Sequence, residues 1–190
     1  MKKIIGRFML WIAGWKFECS IPVNDFKKSV LVCAPHTTNW DFYYCLACFW
    51  SMGIPYRIMI KDAYTKPWFG FIFKELGCIG VNRGQHNNLV DYSAALIKKS
   101  ESMSLINTPE GTRSRAKEWK KGFYFIAKRA GVPVVLAYAD YKNKIAGISK
   151  VIHIDDKTVE EVFNEIEGFY KPEMAKYPDN YNPQIYIRKE

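Results

Sequence analysis

Two polar side chains in the first quarter of the chain have the types and spacing of a catalytic acid–base pair. His36 and Asp41 stand five positions apart in the segment His-Thr-Thr-Asn-Trp-Asp. A carboxylate that accepts a hydrogen bond from one imidazole nitrogen fixes the tautomer and leaves the other nitrogen free to act as a base. The same spacing also fits a helix cap beside a surface histidine, so it indicates a general base only in combination with other motifs.

A second polar cluster, Thr-Pro-Glu-Gly-Thr-Arg-Ser, occupies residues 108–114. A glycine lets the backbone approach a ligand closely, and an arginine can hold a phosphate through two parallel hydrogen bonds. The cluster therefore predicts an anion site, although an ordinary polar turn has a similar composition. Arg83 follows a short glycine-containing run at 77–82 and, taken alone, reads as a solvated charge.

Short β-rich runs alternate with helical runs, and this alternation predicts a single α/β domain. We expect strands over residues 29–34, 56–60, 78–82, 102–107 and 132–138, and helices over 41–52, 67–76, 88–99, 119–130 and 158–170. Connections of this length predict a mostly parallel or mixed sheet flanked by helices. In such a sheet, functional residues occupy loops at the carboxyl ends of strands, which is where both polar clusters fall.

Residues 1–17 form a separate amphipathic segment in this prediction, followed by the main domain over 18–190. At about 100° per residue, its apolar side chains fall within an arc of about 120°, and they are Ile4, Ile5, Phe8, Trp11, Ile12 and Trp15. Lys2, Lys3 and Arg7 lie on the other side. The pattern fits a helix at a membrane surface or a helix docked on the protein's own core. Arg7 interrupts the apolar run, and no small-x-small cleavage site follows, so we do not expect a signal peptide.

The composition narrows the class of protein and of partner. The chain has 190 residues, 48% hydrophobic and 25% charged, with a formal net charge of +9, which excludes disorder, collagen and coiled coil and favours a polyanionic partner. We expect no nucleic acid, because no recognition motif for it is present. Five cysteines favour a reduced compartment. Cys45 and Cys48 are expected to be small helix residues, since no second pair completes a metal site.

Taken together and in this order, the motifs resemble the glycerolipid acyltransferase family. His36 and Asp41 match its His-x4-Asp block, and Gly77 to Arg83 match a glycine-containing strand that ends in arginine. Pro109 to Ser114 match its Pro-Glu-Gly-Thr-Arg-Ser block without a change, and Val132 to Val135 match a hydrophobic strand containing proline. The resemblance covers residues 30–137. The chain departs from the family's usual pattern at four positions, which are Pro35, Thr38, Asn82 and Leu136.

The resemblance implies an enzyme that moves a fatty acyl group from acyl-CoA or acyl carrier protein to a lysophospholipid hydroxyl. The default acceptor is 1-acyl-glycerol-3-phosphate, which gives phosphatidic acid. His36 would act as the general base and Asp41 would orient it. The residues implied in binding the acceptor's polar head are Arg83, Glu110, Gly111, Thr112 and Arg113. No cofactor and no metal are implied, and the expected location is peripheral, at the anionic cytoplasmic face of the inner membrane.

Several alternatives remain open at this level. The acceptor could be a different lysolipid, such as a lyso-aminolipid, or the chain could be a non-catalytic membrane-binding protein with the same fold. A metal-dependent hydrolase would use His36, Asp41 and His86, although these ligands are scattered. The aromatic runs at 42–50 and 68–73 could line a slot for the acyl chain or form plain core. The basic segment 113–121, together with Lys128 and Arg129, could face anionic lipid or carrier protein, or be a solvated face.

Overall fold

The computed structural model describes residues 1–81 and 89–188. Within these ranges it contains seven strands and six α-helices. The strands are β1 Lys16–Cys19, β2 Lys28–Cys33, β3 Tyr56–Lys61, β4 Cys78–Val81, β5 Met103–Asn107, β6 Val134–Asp140 and β7 Ile145–Ile152. The helices are α1 Lys2–Ile12, α2 Trp40–Met52, α3 Gly70–Glu75, α4 Leu89–Lys99, α5 Gly122–Ala130 and α6 Val159–Phe169.

The strands form one mixed sheet in the order β1-β7-β6-β2-β5-β3-β4. Neighbouring strands are parallel except for β6 and β7, which pair antiparallel. The predicted single-domain α/β fold with a mixed sheet flanked by helices is confirmed. β2 lies near the middle of the sheet, between β5 and β6, so the loop that follows it begins among the carboxyl ends of parallel strands.

Alternate residues of β2 enter two different cores, as the two-residue period of a strand requires. Val30 and Val32 pack with residues of α4, α5 and α6 on one face of the sheet. Leu31 and Cys33 pack with residues of α2 on the other face. Because both faces are covered by helices, β2 is apolar from Val30 to Cys33. This double burial fixes the position of the loop that begins at residue 34.

Some predicted elements have different bounds in the structure, and two strands were not predicted. α3 begins at Gly70 rather than at residue 67, because residues 67–70 form a turn in which the Gly70 N–H donates to the Pro67 carbonyl. α5 begins at Gly122 rather than at residue 119, and the Trp119 N–H donates instead to the carbonyl of Ile185. β1 was missed because its pairing with β7 is non-local, and β7, which pairs antiparallel with β6 across a short loop, was not predicted either. A capping box formed by Thr158 and Glu161 begins α6.

The N-terminal helix is docked on α2 and still exposes an apolar face. A Cβ atom on Gly6 would lie 2.5 Å from the carbonyl oxygen of Ala47, so glycine permits a close crossing of the two helices. Leu10 is also buried at this contact. The apolar side chains that point outward are Ile4, Ile5, Phe8, Trp11 and Ile12. One side of the helix is therefore docked on the protein's own core, and contact of the exposed side with a membrane stays a prediction.

The expectation that Trp15 shares this exposed face is wrong. α1 ends at Ile12, and Gly14 adopts a φ of +68°, so the chain turns before residue 15. The Trp15 side chain is only 6% exposed and stacks on Tyr44 with ring centroids 3.7 Å apart. Among the described residues, no helix is long and apolar enough to cross a bilayer.

Candidate functional site

His36 and Asp41 come together at the carboxyl end of β2, as their spacing predicts. His36 lies in the loop between β2 and α2, and Asp41 lies in the first turn of α2. His36 Nδ1 is 3.1 Å from Asp41 Oδ2, and the same oxygen accepts the backbone N–H groups of Thr37 and Thr38 at 2.8 and 3.0 Å. The carboxylate is therefore fixed by the backbone of the loop it orients. This geometry directs Nδ1 of His36 to the carboxylate and leaves Nε2 as the candidate base.

Glu110 holds the backbone of His36 through a hydrogen bond. Its Oε1 accepts the backbone N–H of His36 at 2.8 Å, and its Oε2 is buried without a hydrogen-bond partner among the described residues. Burial raises the pKa of Glu110 to about 7, against the lowering effect of the His36 N–H. Its side chain does not line the groove described next, although the resemblance implied a contact between Glu110 and the acceptor head.

An open groove of about 840 Å³ begins at His36 and runs past the Pro-Glu-Gly-Thr-Arg-Ser segment. Gly111, Thr112 and Arg113 line it, together with Lys120. Gly111 has a φ of +67°, and a Cβ there would lie 2.8 Å from Lys120 Nζ, so glycine serves both the turn and the approach of this lysine. Arg113 is exposed and donates to the side-chain oxygen of Asn39, which places its guanidinium beside the start of α2. The lining of the groove therefore combines a histidine with two cations.

A smaller, largely apolar pocket of about 300 Å³ adjoins the other side of the His36–Asp41 pair, which we call the dyad. It shares His36 and Asn39 with the groove, and its apolar wall includes Ala34, Phe42, Leu46, Ile58 and Ile106. Of the two aromatic runs considered as an acyl slot, the first contributes Phe42 to this wall. The second does not line it and is not plain core, since Trp68 is 87% exposed and Phe71 and Ile72 are also exposed.

Two residues named from the sequence, Arg83 and His86, lie outside the described residues. In the described part of the chain, no group of three or more His, Cys, Asp or Glu side chains could hold a metal ion. Cys48 is buried and Cys45 is half-buried within α2. In the basic segment, Arg113, Arg115, Lys117 and Lys120 are exposed. Further along α5, Lys128 donates to backbone carbonyls and Arg129 pairs with Asp91.

One further contact at the His36–Asp41 pair was not predicted from the sequence. The hydroxyl of Tyr141 donates to Asp41 Oδ1 at 2.7 Å. Tyr141 directly follows β6, the neighbour of β2 in the sheet. The sequence signal for this contact was the position of Tyr141. It is a polar aromatic side chain directly after a strand, and the carboxyl end of that strand lies beside the loop of His36. Burial raises the pKa of Tyr141 well above its ordinary value, so the hydroxyl keeps its proton and acts as a donor.

Comparisons with known proteins identify the family of the chain. The model of the Acyltransferase family matches residues 17–138, which include the dyad and the Pro-Glu-Gly-Thr-Arg-Ser segment. The chain therefore belongs to the glycerolipid acyltransferase family, as the order of its motifs predicts.

A probable 1-acyl-sn-glycerol-3-phosphate acyltransferase of Mycoplasma pneumoniae is 32% identical over 135 residues, which are 66% of this chain and 50% of that protein. The chain thus spans about half the length of this curated relative. The crystal structure of the 1-acyl-sn-glycerophosphate (LPA) acyltransferase PlsC from Thermotoga maritima has a similar fold, with a TM-score of 0.55 and 16% identity. That match covers 88% of this chain and 78% of PlsC.

Proposed function

We propose that the protein transfers a fatty acyl group from an acyl thioester to the free hydroxyl of a lysophospholipid, by default 1-acyl-glycerol-3-phosphate. The observation that carries this proposal is the position of the His36–Asp41 pair, between a groove lined by Arg113 and Lys120 and an apolar pocket. An anionic head and an acyl chain need these two environments on either side of a base. The name of the Mycoplasma relative supports the same acceptor.

The reaction needs one base and no covalent enzyme intermediate. His36 Nε2 would take the proton from the acceptor hydroxyl as the oxygen attacks the thioester carbonyl carbon. Asp41 would hold the ring and stabilise the imidazolium that forms. Collapse of the tetrahedral intermediate breaks the carbon–sulfur bond, and the leaving thiolate takes the proton back from His36. The products are the acylated lipid and the free thiol of coenzyme A or carrier protein.

The acceptor's phosphate would lie in the groove, where Arg113 and Lys120 supply positive charge. Arg83 and Thr112 would also bind the acceptor, as the family motifs imply. Glu110 would act indirectly, because its carboxylate holds the backbone of His36. The acyl chain would enter the apolar pocket beside Phe42 and Leu46.

We further propose that the protein binds peripherally to the anionic cytoplasmic face of the inner membrane. The exposed apolar side of α1 carries Phe8 and Trp11, and Lys2, Lys3 and Arg7 are exposed outside that apolar arc. An amphipathic helix of this kind binds a bilayer through apolar burial together with attraction to anionic lipid. In this proposal residues 1–17 contain the membrane-associating element and residues 18–190 the acyltransferase domain.

The test is lipid mass spectrometry after incubation of the full chain with a mixed lysolipid pool and one donor at a time. Acyl-CoA and acyl carrier protein are supplied separately, and His36→Ala serves as the control. We expect phosphatidic acid as the main product. Acylation of a lyso-aminolipid instead would keep the chemistry and replace the acceptor. Absence of any acylated product with both donors would reject the enzyme and leave a membrane-binding protein with this fold.

A further inference from the structure

We propose that Tyr141 is a positioning residue for the catalytic pair, and this inference rests on the proposed function. Among the described contacts, Asp41 Oδ2 has three partners, which are His36 Nδ1 and the N–H groups of Thr37 and Thr38. Oδ1 has one partner, the hydroxyl of Tyr141. The three partners of Oδ2 already orient the carboxylate, and the Tyr141 hydroxyl holds its other oxygen. Tyr141 therefore sets how much negative charge the carboxylate presents to the histidine.

Tyr141 belongs to an aromatic cluster with Trp15 and Tyr44, and the rings of these two residues hold its own ring in place. Trp15 meets Tyr141 edge-on at 4.9 Å, and Tyr44 meets it edge-on at 5.6 Å. Trp15 and Tyr44 stack at 3.7 Å. Edge-to-face and stacked arrangements are the favourable ones for aromatic rings. Because Trp15 follows α1, this cluster also joins the end of the proposed membrane helix to Asp41.

Tyr141 lies beyond the residues 17–138 that match the family model. The contact between Tyr141 and Asp41 is thus supplied by the part of the chain outside the match, where β6 turns into β7. A residue in this position adds no group to the reacting atoms. Its effect on the reaction has to pass through the orientation and charge of Asp41.

The test replaces Tyr141 by Phe, which removes the hydroxyl and keeps the ring in its cluster. We expect kcat to fall roughly tenfold, as for loss of one charge-assisted hydrogen bond, with KM for the donor unchanged. The acidic limb of the pH–rate profile should move to higher pH, because a carboxylate that has lost a donor attracts the imidazolium more strongly. Tyr44→Phe is the matched control, since it removes a hydroxyl from the same cluster without touching Asp41.

A second measurement does not depend on turnover. The ring protons of His36 are followed by NMR against pH in the wild-type protein, in Tyr141→Phe and in Tyr44→Phe, with His36→Ala used for assignment. A higher titration midpoint only in Tyr141→Phe supports the proposal even if no acyl acceptor is found. An unchanged midpoint together with an unchanged pH–rate profile would overturn it and leave Tyr141 a packing residue.

A different observation carries a second inference: we infer that the surface formed by residues 64–72 is a further contact with anionic lipid. Trp68 is 87% exposed, and the other exposed apolar side chains of this surface are Tyr64, Phe69, Phe71 and Ile72. A soluble surface rarely gathers so many large apolar groups in one short segment. The surface is distinct from α1. The end of α3 nevertheless contacts α1, because Lys2 Nζ donates to the backbone carbonyl oxygen of Glu75 at a distance of 3.1 Å.

The charges around this surface favour a bilayer over a second copy of the chain. Lys61, Lys66 and Lys74 are exposed on its rim, and in the described part of the chain Lys66 is the one of the three that forms an ion pair, with Asp62. A symmetric dimer through this face would bring two lysine rims together, whereas anionic headgroups would neutralise them. Aromatic side chains bordered by lysines are also typical of the membrane–water interface.

The test is flotation with vesicles of phosphatidylcholine and phosphatidylglycerol. The double variant Trp68→Ser/Phe71→Ser is compared with the control Phe125→Ser. The control also removes an exposed aromatic side chain, but from α5, which is not part of this surface. We expect the partition coefficient to fall at least tenfold for the double variant and to stay unchanged for the control. Equal partitioning would overturn the inference. So would a concentration-dependent dimer in light scattering that the double variant abolishes. Neither readout requires catalytic turnover.

Discussion

At the level of single residues, the dyad is built from local contacts that a five-residue spacing can supply. Asp41 binds the histidine and the two backbone N–H groups between them, so one carboxylate organises the whole loop. We expect His36→Ala to lower kcat/KM by about 10²–10⁴-fold, the usual contribution of a general base. Asp41→Asn should also be severe, because an amide can stabilise the wrong tautomer and cannot balance an imidazolium.

The measurement is steady-state acylation of the identified lysolipid, with circular dichroism and thermal melting as checks on the fold. His36 is partly exposed, with 24% of its side chain accessible, so its loss should cost little stability. Turnover close to that of the wild-type protein in a well-folded His36→Ala variant would remove the proposed mechanism.

Arg113 should affect the acceptor and spare the donor. A charge-assisted contact with phosphate contributes about 1.5–3 kcal/mol, so Arg113→Ala should lower kcat/KM for the acceptor roughly 10- to 100-fold. KM for the donor should change little. Arg115→Ala is the matched control, since Arg115 is exposed nearby and is not part of the groove wall. Equal damage to donor and acceptor kinetics would place Arg113 on the thioester side.

Glu110 should make the stability of the protein depend on pH. Its pKa in the folded protein is about 7, above the ordinary value of 4.5, because its carboxyl group is buried. The folded state therefore binds this proton more tightly than the unfolded state. The stabilisation is complete below about pH 4.5 and is lost as the pH rises through 7, with a total on the order of 3 kcal/mol.

Glu110→Gln keeps an oxygen that can accept from the His36 N–H and cannot ionise. We expect its Tm to fall less than that of the wild-type protein between pH 5 and pH 8, measured by thermal melting. Glu118→Gln is the control, because Glu118 is exposed. If the difference in Tm between wild type and Glu110→Gln were the same at both pH values, Glu110 would not be the titrating group.

Sequence reasoning reached these residues unevenly, and the reason is the separation along the chain. His36 and Asp41 are close in sequence, and Arg113 directly follows a glycine turn, so local patterns could indicate them. Tyr141 reaches Asp41 across 100 residues, and that contact exists only after β6 has paired beside β2. The buried position of Glu110 was also out of reach, since a motif specifies residue types and says nothing about which carboxylate faces the groove.

At the level of elements, the helices and central strands were predictable because each carries its own apolar period and its own end signals. β1 and β7 were not predictable in the same way. β1 has four residues and becomes a strand by pairing parallel to β7 at the edge of the sheet. Residues 67–69 were expected in a helix and instead form part of a turn, with Trp68 exposed. A helical pattern of apolar residues does not show whether these residues are buried in the core or exposed to solvent.

The element-level prediction concerns α1. Phe8 and Trp11 are exposed, whereas Trp15 belongs to the cluster beside Asp41. Phe8→Ser/Trp11→Ser should therefore release the protein from anionic vesicles with its Tm nearly unchanged, since each side chain loses about 1.5–3 kcal/mol of burial in lipid. Flotation and thermal melting are measured together, and Phe125→Ser serves as the control. A large drop in Tm would show that these two side chains stabilise the fold itself.

At the level of the whole molecule, the proposed membrane contact would use both the net charge of +9 and the exposed apolar surfaces. The charge would act at a distance and attract the protein to an anionic surface, while apolar contact requires insertion. In the proposed function this division would bring the groove beside His36 to its substrate, because lysolipids lie in such a surface.

The two contributions should separate in salt. The screening length falls from about 10 Å at 0.1 M to about 3 Å at 1 M, so the electrostatic part of vesicle binding should largely disappear over this range. Apolar insertion should persist, because salt does not screen it. For the wild-type protein we expect binding to anionic vesicles to weaken several-fold and then level off. For a variant that lacks both apolar contacts, with Phe8, Trp11, Trp68 and Phe71 all changed to Ser, it should fall to background at high salt. Binding that is independent of salt in the wild-type protein would show that its positive charge faces a different partner, such as an acidic carrier protein.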